Sequence, residues 1–425
     1  MIRIDTSNPP GNELAAARYL ESALERDGIA SRVLVSSGTR ASLVARVQGS
    51  GRKRPFLLAC HTDVVPVERA RWSVDPFGGV EQGGYVYGRG AADIKGMCAA
   101  ELMVLALLKR RRVPLDRDVI FFAQADEEVG GADRHLTWLL REHGEAVDAE
   151  FGLNEGGNTL WRNGALASVH LQAAEKQYLD VRLVARGTSG HASVPRPDNP
   201  VSAVARALSR LSAWEPPLER HPVAVGFLER TTPADGSERR RLVDRLSGPD
   251  WEAAARGRIA LDPDAASLFR DTVAATMLRG GYKANVVPSE AEATVNCRLM
   301  PGRDPNAFVR ELASVIREPS VELQFEADGV PPVGSMPLDT ALYEGVRASL
   351  EELSPRAGLA PFLSAWSTDA PSLRARGIVV YGLDPPLSPE DADRAHGHDE
   401  RIEVAALNAY LRLLYRVTLR LAAAS

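Results

Sequence analysis

The sequence predicts an α/β protein with a mostly parallel sheet, interrupted by an inserted α+β domain of ferredoxin-like kind. Three observations carry this. Between residues 31 and 155, short apolar runs alternate with amphipathic helical patterns, the order that builds a parallel sheet covered by helices. Near residue 175 the texture changes to half-exposed strands of period two and helices that sit on one face of an antiparallel sheet. From about residue 333, buried-strand and long-helix patterns return. The expected division is 1–174 and 333–425 for the outer domain and 175–332 for the inserted one.

Each element has a local reason. After the turn "SNPPGN", an amphipathic helix "ELAAARYLESALERDG" stops at Gly28, and strands follow at "SRVLV", "ASLVARV" and "PFLLAC". A helix covers "KGMCAAELMVLALLKRRR", then come the strand "DVIFFAQA", the helix "ADRHLTWLLREHG" and the strand "AEFGLNE". In the inserted part, "KQYLDVRLVARG", "AEATVNCRLMP" and "VELQFE" read as strands, and "NPVSAVARALSRL" and "DPNAFVRELASVI" as helices. A charge-rich helical stretch spans about 216–279. Near the end, "ARGIVVYGL" is a buried strand and "VAALNAYLRLLYRVTLRLAAA" the closing helix.

Composition removes several function classes. A formal net charge of -5 without basic runs interleaved with aromatics argues against nucleic acid. The cluster Arg239-Arg240-Arg241 lies between acids on a helical pattern and reads as a solvated face. No apolar run reaches the length of a membrane span, and the amino terminus lacks a signal-peptide layout. Three widely separated cysteines, Cys60, Cys98 and Cys297, suit a reducing cytoplasm better than a disulfide scaffold, so the protein is expected to be cytoplasmic.

Chemistry-bearing residues gather at strand ends. "PFLLACHTDVVPV" ends an apolar strand with His61 and Asp63, which share one face of the extended chain while Cys60 and Thr62 take the other. An isolated His-x-Asp is more often a structural hydrogen bond than a metal ligand held by a carboxylate. The glycine-rich "GRGAADIKG" holds Asp93, which by itself suits a helix cap. "FFAQADEEVGG" ends a strand in Asp126-Glu127-Glu128, three carboxylates that tolerate one another only in water or around cations. "GLNEGG" supplies Glu155, and "AHGHDER" two histidines. If the strands are parallel, all five stand on one sheet edge. Two histidines and four or five carboxylates, without nearby thiolates, fit a pair of divalent metals rather than a structural zinc finger. Two ions sharing a carboxylate at roughly 3.5 to 4 Å activate water for hydrolysis.

These motifs, in this order from "RIDTSNPPGNE" to "AHGHDER", resemble the co-catalytic zinc aminoacylase and carboxypeptidase family. That family includes acetylornithine deacetylase, succinyl-diaminopimelate desuccinylase, glutamate carboxypeptidase and carboxypeptidase S. The resemblance implies a zinc-exopeptidase-like catalytic domain with a lid and dimerisation domain inserted into it. It implies two divalent ions, zinc first and cobalt or manganese as substitutes, a small N-acyl amino acid or short peptide as substrate, and a homodimer through the lid. Residue by residue, it makes His61, Asp93, Glu128, Glu155 and His396 the metal ligands, with Asp93 bridging and Asp63 behind His61. Glu127 becomes the general base. His396 is preferred to His398 because it stands three residues before Asp399-Glu400. "GTSGHASVP" makes His191 a donor to the developing oxyanion, often across to a partner subunit. "NVVP" and "NCRLMPG" make Asn285 and Arg298 the grip on the substrate's carbonyl region and carboxylate. A cis peptide at Asp93-Ile94 is also implied.

Within an amide hydrolase, N-acyl-amino-acid deacylase and carboxypeptidase or dipeptidase stay open. A non-catalytic binding homologue is the rival from another class, although a binder has no use for a general base. A thiol hydrolase on Cys60 fails because His61 faces the other way. Two departures from the family pattern stand out. The chain begins almost at "DTSNPPGNE", where relatives usually carry a preceding helix, so the start lies upstream or that helix is dispensed with. The stretch 216–279 is long, loosely like the carboxypeptidase S and N-acyl-amino-acid hydrolase branch.

Overall fold

Runs such as "FLLACH" and "VIFFAQ" are apolar on both faces, and a strand of that kind is stable only where helices cover the sheet on each side. In the computed structural model, which describes residues 1–129, 134–326 and 331–424, they form its centre. The strands Val119–Gln124, Phe56–His61, Phe151–Asn154 and Val379–Gly382 lie side by side and parallel, with Cys60 opposite Ala123 and Leu58 opposite Leu153. Phe56 to Cys60 and Val119 to Phe122 are wholly buried, each large side chain contributing about 1.5–3 kcal/mol on burial. The helix Lys95–Arg110 packs on one face, with Val404–Ala422 against it. On the other face Leu136, Leu139, Ala370 and Leu373 pack against Leu57, Ala59, Ile120 and Phe122.

The sheet is parallel only at its centre. Arg40–Val47 joins Val119–Gln124 antiparallel, with Ser31–Ser37 outside it, and Ala165–Glu175 joins the far side antiparallel. Two features are absent from the sequence reading, and the first bears on the site. Arg401–Glu403 pairs with Tyr85–Tyr87 in a small separate sheet, which draws the late histidine loop beside the loop that follows Tyr87. The segment 158–175 is a hairpin, Asn158–Arg162 with Ala165–Glu175.

The chain divides into two compact units. One comprises Met1–Ala174, Met336–Phe362 and Thr368–Ser425; the other comprises Glu175–Ser335 and Leu363–Ser367. The sequence reading puts all of 333–425 in the outer domain. Leu363–Ser367 groups with the second unit because Lys176 N–H donates to the Ser364 carbonyl at 3.0 Å and Ser367 Oγ to the Lys176 carbonyl at 2.7 Å.

In the second unit, Thr272–Gly280, Glu290–Leu299, Gln177–Arg186 and Val321–Phe325 form an antiparallel sheet in that order. The helices Pro200–Ser212 and Pro305–Ile316 pack on it, opened by Asn199 and Asp304, whose side chains accept the first amide hydrogens. The stretch 216–279 is not helical throughout. Three helices, Pro222–Thr231, Glu238–Asp244 and Trp251–Leu261, enclose their own core of Val225, Leu228, Val243, Leu246, Ala254 and Phe269. Residues from Thr272 on are the sheet's edge strand, a reversal of the expected helix: the run "TVAATMLRG" is rich in β-branched and apolar side chains and pairs with Glu290–Leu299.

The cysteines also depart from expectation. Cys60 and Cys98 are disulfide-bonded, with Cα atoms 5.5 Å apart, and Cys297 is buried and free. Alternation along the strand turns Cys60 away from His61 toward the helix that carries Cys98. Among the described residues no helix is long and apolar enough to cross a membrane.

Candidate dinuclear metal site

Parallel strands deliver their carboxyl ends to one edge, so the residues just past them meet: His61 and Asp63, then Asp126 to Glu128, then Glu155. Asp93 comes from the loop before the helix Lys95–Arg110, at a cis Asp93–Ile94 peptide. His396 comes from the loop before Arg401–Glu403.

These side chains form two groups that share Asp93. Potential ligand atoms of His61, Asp93 and Glu155 lie within 4.8 Å of one another, and so do those of Asp93, Glu128 and His396. Asp93 divides its oxygens between them: Oδ1 is 3.1 Å from His61 Nε2, and Oδ2 is 3.0 Å from His396 Nε2. Glu155 Oε1 is 3.7 Å from His61 Nε2, and Glu128 Oε1 is 3.3 Å from His396 Nε2. Both of these carboxylate oxygens are buried without a hydrogen bond, although solvent loss is costly for such atoms. Imidazole and carboxylate donors in two triads around a common carboxylate suit two divalent ions.

The electrostatics point the same way. Burial alone would depress His61, but Glu155, Asp63 and Asp93 push it well above its ordinary value. The adjoining carboxylates of Asp93 and Glu128 raise His396 to about 10. Burial opposes ionisation of Asp93, yet the two imidazoles hold its carboxyl well below the carboxylate range. Burial and neighbouring carboxylates push Glu127 and Glu155 well up. A cluster with this surplus of negative charge attracts cations, and the groups that make the imidazoles basic also favour a divalent ion.

Asp63 differs in detail from the sequence reading. His61 Nδ1 lies 3.0 Å from the Asp63 main-chain carbonyl and 3.6 Å from its carboxylate. The carboxylate also accepts from the backbone N–H groups of Glu127 and Glu128, at 3.1 and 3.0 Å, and from Asn8 Nδ2 at 2.8 Å. It therefore holds the turn that presents both glutamates. Asp126 is not a third member of the acidic cluster. At φ +73° it turns aside to Arg40, to Asn8 and to the amide of His135. The glycines that follow it in the sequence, Gly130 and Gly131, lie outside the described residues. His398 belongs to neither group.

Sequence reasoning missed Asn8, Arg40 and Arg89, and used Glu400 only to choose between the two late histidines; these four side chains hold this edge together. "SNPPGN" reads only as a turn, and nothing local says that its asparagine reaches residues 63 and 126.

The three residues assigned to substrate belong to the second unit. His191 is exposed, its Nδ1 2.7 Å from Ser193 Oγ, and Gly190–His191 pairs with Val286–Val287, so Asn285 is close by and accepts from Ala192 N–H at 3.1 Å. Arg298 lies 4.6 Å over the ring of Tyr178, with Nη1 3.5 Å from Ser367 Oγ.

Human N-fatty-acyl-amino acid synthase/hydrolase PM20D1 is 29% identical, over 87% of this chain and 75% of that protein. Porcine aminoacylase-1 is 27% identical, over 97% of this chain and 92% of that protein. Among solved structures, an M20 family metallo-carboxypeptidase from Sulfolobus solfataricus superposes with a TM-score of 0.75 at 20% identity, covering 99% and 97% of the two chains. A Bacillus subtilis protein described as a dinuclear metal binding peptidase from the M20 family gives a TM-score of 0.63 at 14% identity, over 99% and 96%. The sequence model described as Peptidase family M20/M25/M40 matches residues 57–420, and with two metal-ligand groups on the family's fold this chain is a metal-dependent amide hydrolase that belongs to that family.

Proposed function

We propose that the protein hydrolyses the amide bond of N-acyl amino acids, with two zinc ions held by His61, Asp93 and Glu155 and by Asp93, Glu128 and His396. The observation that carries this reading is the division of Asp93, one oxygen toward each histidine. The ions supply Lewis acidity and bring the pKa of water toward neutrality. Glu127 accepts the proton of the attacking water and passes it to the leaving amine. Its carboxyl is raised by burial and by Asp369, Glu128 and Asp63, which suits a group that must gain a proton as well as lose one. Asp63 fixes Glu127 through the backbone amide. His191 donates to the developing oxyanion, Asn285 orients the carbonyl region, and Arg298 pairs with the amino acid's carboxylate.

The relatives named above for N-fatty-acyl-amino acids and as an aminoacylase favour the acyl class over dipeptides, which form the second reading. A homodimer through the second unit fits the edge strand Thr272–Gly280, which among the described residues pairs on one side only and leaves Met277 and Leu278 48% and 67% exposed. The test is amine release from N-acetyl, N-succinyl and long-acyl amino acids and from dipeptides, with apoprotein reloaded separately with zinc, cobalt and manganese. Acyl amino acids should be cut fastest with zinc. Glu127→Gln should keep both ions and lose at least about a hundredfold in turnover. Preference for dipeptides moves the assignment to the second reading. Two bound ions without turnover on any substrate makes the chain a binding protein.

A further inference from the structure

His396 is an awkward ligand. Its side chain is 54% exposed, so packing does not hold it, and its backbone sits at φ +60°, a region L-residues enter at a cost. Some other contact has to keep this loop in place beside Asp93. The structure supplies a buried ion pair, Arg89 with Glu400, 2% and 0% exposed. Arg89 Nη2 donates to the carbonyls of His396 and Gly397, at 3.2 and 2.9 Å. Arg89 Nη1 donates to Glu400 Oε2 at 2.7 Å. Glu400 Oε1 accepts the backbone N–H groups of Ala92 and Asp93, at 2.8 and 3.0 Å. The main chain under Asp93 and the main chain under His396 are thus gripped by the two ends of one pair.

We propose that Arg89 and Glu400 are positioning residues of the Asp93–Glu128–His396 ion, setting the separation of its carboxylate and imidazole. The inference rests on the metal assignment above. The guanidinium fork is what the geometry requires, because one nitrogen meets the carboxylate while the other spans two carbonyls, and an ammonium has no such rigid fork. The His61–Asp93–Glu155 ion depends less on the pair, since His61 is fixed in a buried strand.

The experiment titrates apoprotein with zinc against a chromophoric chelator, and with cobalt by visible absorption, so that each ion is read without turnover. In Arg89→Lys and in Glu400→Gln, one ion should stay within about threefold of wild type and the other weaken by about 10- to 100-fold. His396→Ala should give the same split, and adding Arg89→Lys to it should change nothing further. Unchanged affinity for both ions in a folded variant overturns the proposal alone. A loss spread evenly over both ions and tracking the melting temperature also overturns it, because that is a folding role. Failure of both variants to fold counts the same way. Wild-type apoprotein that does not take up two ions overturns this proposal together with the metal assignment.

Discussion

Asn8 offers the sharpest test of how the glutamate turn is held. Its amide nitrogen donates to Asp63 Oδ2 at 2.8 Å and to Asp126 Oδ1 at 3.1 Å, and the residue is 2% exposed. In Asn8→Ala both carboxylates lose a donor but keep others: Asp63 keeps two backbone amides, and Asp126 keeps Arg40 and the amide of His135. Two hydrogen bonds to charged groups at about 1.5–3 kcal/mol each, partly replaced by the surviving donors, put the loss at about 2–4 kcal/mol.

Asn8→Asp keeps the shape and reverses the polarity. A carboxylate there would face two others at about 3 Å, a repulsion of about 5 kcal/mol each even at an effective dielectric of 20. The new carboxyl therefore stays protonated, and at pH 7 that costs no more than about 4 kcal/mol relative to an unfolded pKa near 3.9. Its folded pKa is raised, so its contribution to stability is present below the unfolded pKa and is lost as pH rises. Protonated, it still donates one hydrogen bond. Urea unfolding at pH 4 and pH 7 should show Asn8→Asp at least as stable as Asn8→Ala at the lower pH and less stable by about 2 kcal/mol at the higher. Identical ΔΔG for the two variants at both pH values would refute the donor role of Asn8.

Two further outcomes are expected. His396→Ala should remove one of two bound ions by metal analysis, whereas His398→Ala should keep both; the reverse pattern would exchange the two histidines in the assignment. Denatured without reductant, the protein should expose one titratable thiol, Cys297, because Cys60 and Cys98 are bonded. Three thiols would show that the bond does not form where the protein is made, as the cytoplasmic expectation requires.

Much of this molecule is readable along the chain because the signals are local. A buried parallel strand needs apolar residues on both faces, and "PFLLAC" and "DVIFFAQA" have them. Ligands that follow such strands must share an edge once the strands are parallel, so the sites at His61, Asp93, Asp126-Glu127-Glu128, Glu155 and the late histidine pair group together from the sequence. Which carboxylate of Asp126-Glu127-Glu128 is a ligand, and the choice of His396 over His398, needed the motif resemblance, since neighbouring residues of one kind are not told apart by strand geometry.

What tertiary structure alone decided depends on contacts between residues remote in sequence. Which oxygen of Asp93 meets which histidine, that Asp63 serves the glutamate turn as well as the imidazole, and that Asp126 looks away all follow from packing. Asn8, Arg89 and Glu400 act by reaching backbone amides, carbonyls or carboxylates elsewhere in the chain, and a hydrogen bond to a distant partner leaves no periodic or compositional trace. The edge strand Thr272–Gly280 escaped for a related reason: its strand state depends on pairing with Glu290–Leu299, and pairing is a property of two segments together.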